Sequence, residues 1–179
     1  MKLLLHICCA PCSVMAIQVL RSNDIDVTGY WYNPNIHPFT EYQNRLEALK
    51  GYAQSIDMPL IINDFYGLRM FTKMAMEDLE NRCMGCYDMR LRETALYAKA
   101  NGYDAFSTTL LISPYQKHET LKATGERIAK EIGISFHYTD FRPYFREGQK
   151  IARELPLYMQ KYCGCIFSEE ERYLSKTKK

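Results

Sequence analysis

Residues 2–21 read KLLLHICCAPCSVMAIQVLR, and the fold is decided in that stretch. Lys2 to Cys8 is a short, almost unbroken apolar run that stops at the turn residues Ala10-Pro11. A run of this length without alternation marks a strand covered on both faces. Ser13 then stands where a helix N-cap is expected, ahead of a helical stretch from Val14 to Arg21. Strand, tight loop and helix in that order form the first half of a βαβ unit, and three cysteines sit at its joint.

The same alternation continues outward along the chain. Val27–Tyr32 (VTGYWY) is rich in β-forming residues and ends at Asn33-Pro34. Glu41 to Ile56 sets Tyr42, Leu46, Leu49 and Ala53 on one helical face. Leu60–Asp64 is expected as a strand and Phe65–Glu80 as a helix. Cys83-Met-Gly-Cys86 opens a further helix, Tyr87–Ala100, closed by Asn101-Gly102. A strand over Ala105–Ile112 breaks at Ser113-Pro114, a helix over Glu119–Glu131 is closed by Gly133, and Ile134–Thr139 is the last strand. Beyond residue 140 helical segments are interrupted at Pro143, Gly148, Pro156 and Gly164, and the tail Ser175–Lys179 is expected to fray.

Strands separated by helices imply right-handed crossovers and a parallel sheet with helices on both faces. The expected fold is α/β: a Rossmann-like (HUP/PP-loop-like) three-layer sandwich with a mainly parallel sheet. Residues 1–140 supply the sheet and its covering helices, and 141–179 a helical C-terminal extension of the same single domain. Ligands of such sheets bind beyond the carboxyl ends of the strands, where the loop after the first strand and Ser113–Lys117 both fall.

At 179 residues and 47% hydrophobic, the chain is long enough for one well-buried core. No run of about 18 apolar residues occurs, so no membrane span is expected. The opening apolar stretch, Leu3–Ile7, is too brief for a signal peptide, which favours a cytoplasmic, reducing location. Net charge is +2, but residues 141–179 carry nine Lys/Arg against five Asp/Glu. A basic C-terminal third suits a polyanion such as nucleic acid, or is a solvated face.

The seven cysteines are grouped rather than spread: Cys8-Cys9-Ala-Pro-Cys12, Cys83-x-x-Cys86 and Cys163-Gly-Cys165. In a reducing compartment, clustered cysteines point to metal or redox chemistry more than to structural bridges. Cys8, Cys9, Cys83 and Cys86 supply the four sulfurs a cubane iron–sulfur cluster needs, and zinc competes for the same set. Cys12 is surplus to four ligands: it holds a second metal, replaces one of the pair, or is simply buried. Asp88 is the nearest carboxylate able to join it, or is a first-turn acid favoured by the helix dipole. Cys163 and Cys165 are close enough in sequence to form a strained, easily reduced disulfide, or serve as further ligands or plain thiols. Arg82, Arg90 and Arg92 flank the second cluster and either tune a metal site, bind phosphate or form salt bridges with Glu80 and Glu93. Tyr30, Trp31 and Tyr32 are aromatic enough to stack a base, or are core. His6, His37, His118 and His137 show no metal-pair spacing.

Taken in series, CCAPCS (Cys8–Ser13), RCMGCYDMRL (Arg82–Leu91), STTLLISPYQ (Ser107–Gln116) and YCGC (Tyr162–Cys165) resemble the QueH family of epoxyqueuosine reductases over nearly the whole chain. The resemblance implies a cobalamin-free iron–sulfur oxidoreductase that removes the epoxide oxygen of epoxyqueuosine at the tRNA wobble position. It implies that Cys8, Cys9, Cys83 and Cys86 bind a 4Fe–4S cluster and that Cys163 and Cys165 form a redox-active disulfide. The family is also associated with an additional iron, for which Cys12 and Asp88 are the candidates. Implied partners are the tRNA anticodon stem-loop and a low-potential electron donor. Tyr115, Lys117 and His118 are candidate proton donors or phosphate contacts. The competing functions are a zinc-stapled RNA-binding module, a thiol–disulfide oxidoreductase using Cys163 and Cys165 alone, and a PP-loop-like nucleotide enzyme. The last is disfavoured because the first loop has no glycine-rich phosphate cradle.

Overall fold

In a computed structural model, which describes residues 1–177 and side chains as far as Leu174, the first strand β1 is Lys2–His6 and the helix α1 that follows is Ala10–Ser22. Leu3, Leu4 and Leu5 are wholly buried, as the unalternating run requires. The helix begins three residues earlier than Ser13. Cys9 occupies the N-cap position with extended backbone, and Pro11 sits in the first turn, where its fixed φ suits a helix and its missing N–H costs nothing. Ser13, expected as the cap, instead donates its hydroxyl to the Ala10 carbonyl at 2.7 Å.

The remaining elements are β2 (Asp26–Trp31), α2 (Phe39–Ser55), β3 (Leu60–Ile62), α3 (Leu68–Glu77), α4 (Arg82–Ala100), β4 (Ala105–Thr108), α5 (His118–Ile132), β5 (Ser135–Phe136), α6 (Phe145–Glu154) and α7 (Ile166–Thr177). The five strands pair in parallel in the order β3-β2-β1-β4-β5. With right-handed crossovers, that order places helices on both faces, and the direction of winding reverses between β1 and β4. The helix contacts divide accordingly: α1 packs on α2 and α6, whereas α4 packs on α3 and α5. The Rossmann-like, three-layer expectation holds. The helix-facing residues Tyr42, Leu46, Leu49 and Ala53 of α2 are all buried.

Several boundaries move for local reasons. The helix expected from Phe65 starts only at Leu68. The strand expected to reach Ile112 stops at Thr108, whose hydroxyl accepts from the Leu110 N–H at 3.1 Å and turns Thr109–Ile112 into a 3-10 turn. The last strand shrinks to Ser135–Phe136, with one further backbone bond from His137 N–H to the Phe106 carbonyl. Gly133 closes α5 in the left-handed conformation, as expected from sequence. Of the tail expected to fray, residues 175–177 continue α7, while residues 178 and 179 lie outside the described residues. Among the described residues no helix is long and apolar enough to cross a membrane.

Candidate metal and redox site

Each cysteine motif stands at the amino end of a helix. In α1, Cys9 is the N-cap and Cys12 lies three residues on, the two positions whose side chains face each other across a first turn. Cys8 precedes them at the carboxyl end of β1. The contiguous pair does not splay: Cys8 and Cys9 bring their Sγ atoms to 3.7 Å, and the sulfurs of Cys8, Cys9 and Cys12 all lie within 4.8 Å of one another. In α4 the Cys83-x-x-Cys86 pair falls inside the first two turns, since the helix already begins at Arg82. Cys165 caps α7: its carbonyl accepts the first helical bond from Glu169 N–H, and its Sγ accepts from Ser168 N–H at 3.3 Å. Helix amino ends carry partial positive charge and favour thiolates over thiols.

The first group lies in the crevice where the sheet's winding reverses. Cys8 N–H donates to the hydroxyl of Thr109, the residue just past β4, at 3.2 Å, and that hydroxyl lies 3.5 Å from Cys8 Sγ. Hydrogen bonds from Cys12 and Cys9, assisted by Arg90 and Thr109, hold the Cys8 thiol well below its ordinary pKa. Burial pushes the Cys9 thiol up, and the hydrogen bonds that Cys12 makes with Cys8 and Cys9 push the Cys12 thiol well above its ordinary pKa. Three thiols packed this closely in a buried site resist ionising together, because like charges there repel. A metal cation relieves that restriction, since bound cysteine is thiolate. The 3.7 Å spacing is close to the sulfur–sulfur edge of about 3.8 Å expected around a single tetrahedral ion with bonds of ~2.3 Å.

The second group contains Cys83, Cys86, Cys163 and Cys165. Cys83 and Cys86 both feel the charges of Cys163 and Cys165, and Cys86 and Cys165 share a small apolar cluster with Phe71 and Ala75. Burial drives the Cys86 thiol up to about 12. Arg90 lies between the two groups. Its guanidinium is buried, reaches Cys86 Sγ at 3.7 Å, and acts electrostatically on Cys8 as well.

The Tyr162–Cys165 segment is held from below. Arg45, 1% exposed, pairs with Glu41 at 2.7 Å and donates to the carbonyls of Cys163 at 2.9 Å and Tyr162 at 3.0 Å. His37 N–H donates to the Gly164 carbonyl at 2.8 Å, and its Nδ1 accepts from Ile166 N–H at 3.3 Å. Gly164 has φ +145, a conformation side chains resist. Cys163 is exposed while Cys165 is buried, so the two sulfurs meet different surroundings. Both are free thiols here.

The sequence model of the family described as Epoxyqueuosine reductase QueH matches residues 3–171. The chain belongs to the QueH family. A Dehalococcoides mccartyi protein named epoxyqueuosine reductase QueH is 43% identical over 172 residues, spanning 96% of this chain and 94% of the relative. Similarly named proteins of Acinetobacter baylyi and Thermotoga maritima are 37% and 34% identical. They cover 93% and 94% of this chain, and 80% and 91% of their own lengths.

Within this QueH chain the fold gathers Cys12 with Cys8 and Cys9, and places Cys83 and Cys86 with the Cys163 and Cys165 pair. Asp88 goes elsewhere. Its carboxylate accepts from Arg92 at 3.1 and 3.2 Å and from Arg127, inside a network that includes Glu131. Of the alternatives for the flanking arginines, salt bridging holds for Arg82 and Arg92, but with Glu171, Asp88 and Glu131 in place of Glu80 and Glu93, because α5 and α7 bring acids that sequence spacing did not reveal. Tyr30 and Trp31 are fully buried and bonded to Glu93 and Tyr42, which makes them core rather than a base platform. Tyr115 is 84% exposed at the rim, whereas His118 is buried against Tyr138.

Besides Arg45, four site residues escaped the sequence reading. Gln116 donates to Cys163 Sγ at 3.4 Å and accepts from the Tyr87 hydroxyl at 2.7 Å. Gln160 donates to Cys12 Sγ at 3.4 Å, and Asn33 accepts from Arg90 at 2.8 Å. Only Tyr87 and Gln116 carried a signal, since both lie inside the quoted motifs.

Proposed function

We propose that this chain is an epoxyqueuosine reductase that carries out a two-electron reductive deoxygenation of epoxyqueuosine at the tRNA wobble position. In this reading Cys8, Cys9, Cys83 and Cys86 hold a 4Fe–4S cluster, Cys163 and Cys165 are the redox-active dithiol, and Cys12 is the candidate for an additional iron. The observations that carry it are the packing of Cys8, Cys9 and Cys12 at one helix amino end, the grouping of Cys83 and Cys86 with Cys163 and Cys165 at two others, and Arg90, which touches Cys86 and acts electrostatically on Cys8. Membership of the QueH family supports the substrate.

The donor set fits an iron–sulfur group: soft thiolates, amino-terminal helix dipoles and a buried guanidinium all favour an anionic assembly. When bound, such a cluster supplies electrons one at a time at low potential. The reaction takes up two electrons and two protons and releases the epoxide oxygen as water. The exposed Cys163 thiol is placed to exchange with a soluble reductant, while Gln116 positions it and links it to Tyr87. Tyr115 is the exposed hydroxyl at the same rim, within reach of a ligand entering from solvent. Asp88 would have to leave two arginines to ligate a metal, which makes Cys12 the better of the two candidates.

Besides supplying Cys163 and Cys165, the C-terminal extension borders the site through Phe145 packed on Tyr115 and Gln160 bonded to Cys12. Its Arg146, Lys150, Arg153 and Lys161 are exposed, and would grip the phosphate backbone of the anticodon stem-loop in a salt-dependent manner. Splayed anticodon bases would add selectivity. A cytoplasmic setting with a low-potential electron donor completes the reading.

The test is anaerobic incubation of iron- and sulfide-reconstituted protein with epoxyqueuosine-containing tRNA and a low-potential reductant, followed by nucleoside mass spectrometry. Conversion to queuosine by the wild type and not by Cys86→Ala is expected. A loaded wild type that leaves epoxyqueuosine intact refutes the assignment. The close packing of Cys8, Cys9 and Cys12 favours one alternative, a zinc-stapled RNA-binding protein without catalysis, which would be colourless and bind RNA without turnover.

A further inference from the structure

Arg90 is a fully buried cation of unusual company. It is 1% exposed, and among the described residues its hydrogen bonds go to three groups, none a carboxylate. Nε faces His6 Nε2 at 3.3 Å, Nη1 faces Cys86 Sγ at 3.7 Å, and Nη2 donates to Asn33 Oδ1 at 2.8 Å. Among the described residues no ion pair of the molecule involves it. Arg45, the other fully buried arginine, has its glutamate.

His6 does not balance the charge. Its Nδ1 lies 2.9 Å from Thr108 Oγ1, and its Nε2 lies 3.3 Å from Arg90 Nε and 3.2 Å from both the Tyr32 carbonyl and Asn33 Oδ1; an imidazole is neutral or cationic in either arrangement and supplies no negative charge. Burial of an unpaired guanidinium is costly unless negative charge sits nearby. The only anion-forming groups close to Arg90 that the electrostatics single out are thiols: Cys86, Cys8 and Cys163.

We propose that Arg90 is the built-in countercharge of the sulfur site: a positioning residue that retains the anionic cluster and makes it easier to reduce. This rests on the reading of the site as an iron–sulfur centre. Adding an electron raises the negative charge, and a fixed cation in a buried, water-poor setting stabilises the reduced form more than the oxidised one. Asn33, His6 and Thr108 serve to aim the guanidinium. Asn33 is itself fixed by donating to the Ile7 carbonyl at 2.9 Å.

The test is the midpoint potential of the reconstituted protein by spectroelectrochemistry, with iron and sulfide content after desalting. Arg90→Met is expected to shift the potential negative and to lose iron faster than wild type, while Arg90→Lys, which keeps the charge, stays nearer the wild-type potential. Asn33→Asp leaves Arg90 in place but neutralises it with a carboxylate, and is expected to shift the potential in the same negative direction. It carries the test if Arg90→Met fails to fold by circular dichroism. A folded Arg90→Met that takes up no iron supports the retention role, with Asn33→Asp reporting the potential. Loaded variants with wild-type potentials and wild-type iron retention overturn the inference alone. A wild type that assembles no cluster overturns the functional reading and the inference with it.

Discussion

Replacing Arg45 by methionine probes what holds the Tyr162–Cys165 segment in place. The guanidinium pairs with Glu41 and donates to the two carbonyls of Tyr162 and Cys163. Methionine fills much of the space but leaves the Glu41 carboxylate, 10% exposed in its side chain, with the Tyr158 hydroxyl as its remaining partner. Breaking one half of a buried ion pair costs about 3–5 kcal/mol, chiefly through the stranded charge. The two orphaned carbonyls add little beyond this, because the exposed Cys163 region admits water. For a chain of this size, about 2–4 °C of melting temperature accompanies each kcal/mol, so a drop on the order of 10 °C is expected. The assay is a thermal melt of the reduced, metal-free protein followed by circular dichroism. The double variant Glu41→Gln/Arg45→Met removes the stranded charge and should recover part of the loss. An Arg45→Met protein that melts within about 2 °C of wild type, or a double variant no more stable than the single one, refutes the reasoning.

Other perturbations address the same region and its surroundings. Gly164→Ala puts a Cβ at φ +145, 3.2 Å from Ile36 and 3.3 Å from Arg45 and Asn35; a loss of about 1–3 kcal/mol is expected from urea denaturation, with faster hydrogen exchange at residues 162–166. Burial lowers His37 from 6.5 to about 4. The unfolded chain therefore takes up the proton first, so stability is full above about pH 6.5 and declines as the pH falls toward 4. Urea midpoints measured over that range should fall in wild type, with a shallower slope in His37→Gln. Asp88→Asn touches only a half-exposed network, so it should change stability by less than about 1 kcal/mol and leave iron per chain unaltered by elemental analysis.

Much of this was legible before any coordinates. The unbroken Lys2–Cys8 run, the helical face of α2 and the Gly133 stop are local signals, and the parallel sheet followed from their alternation. Helix starts were less legible, because Pro11 as a first-turn residue competes with Pro11 as a turn, and Ser13 looked like a better cap than Cys9. The cysteine groups were visible as spacing, but their partition was not. Cys12 joins Cys8 and Cys9 because the helix begins at residue 10, which swings a three-residue-spaced side chain back over the N-cap. Arg90 could be placed on the helix opened by Cys83 and Cys86. That it is buried against Cys86 while Arg92 turns out to Asp88 and Glu131 depends on which face of α4 meets β1, a tertiary fact. Asn33, Gln160 and Arg45 reach the site from distant segments, and nothing in their local sequence sets them apart.

Whether these thiols hold inorganic iron and sulfide decides the function. The direct measurement is iron and acid-labile sulfide per chain after anaerobic reconstitution and gel filtration, alongside the visible spectrum. A brown protein with about four sulfides and four or five irons per chain, absorbing broadly near ~400 nm and losing both in Cys83→Ala, is predicted. A colourless chain that retains zinc and excludes iron contradicts it.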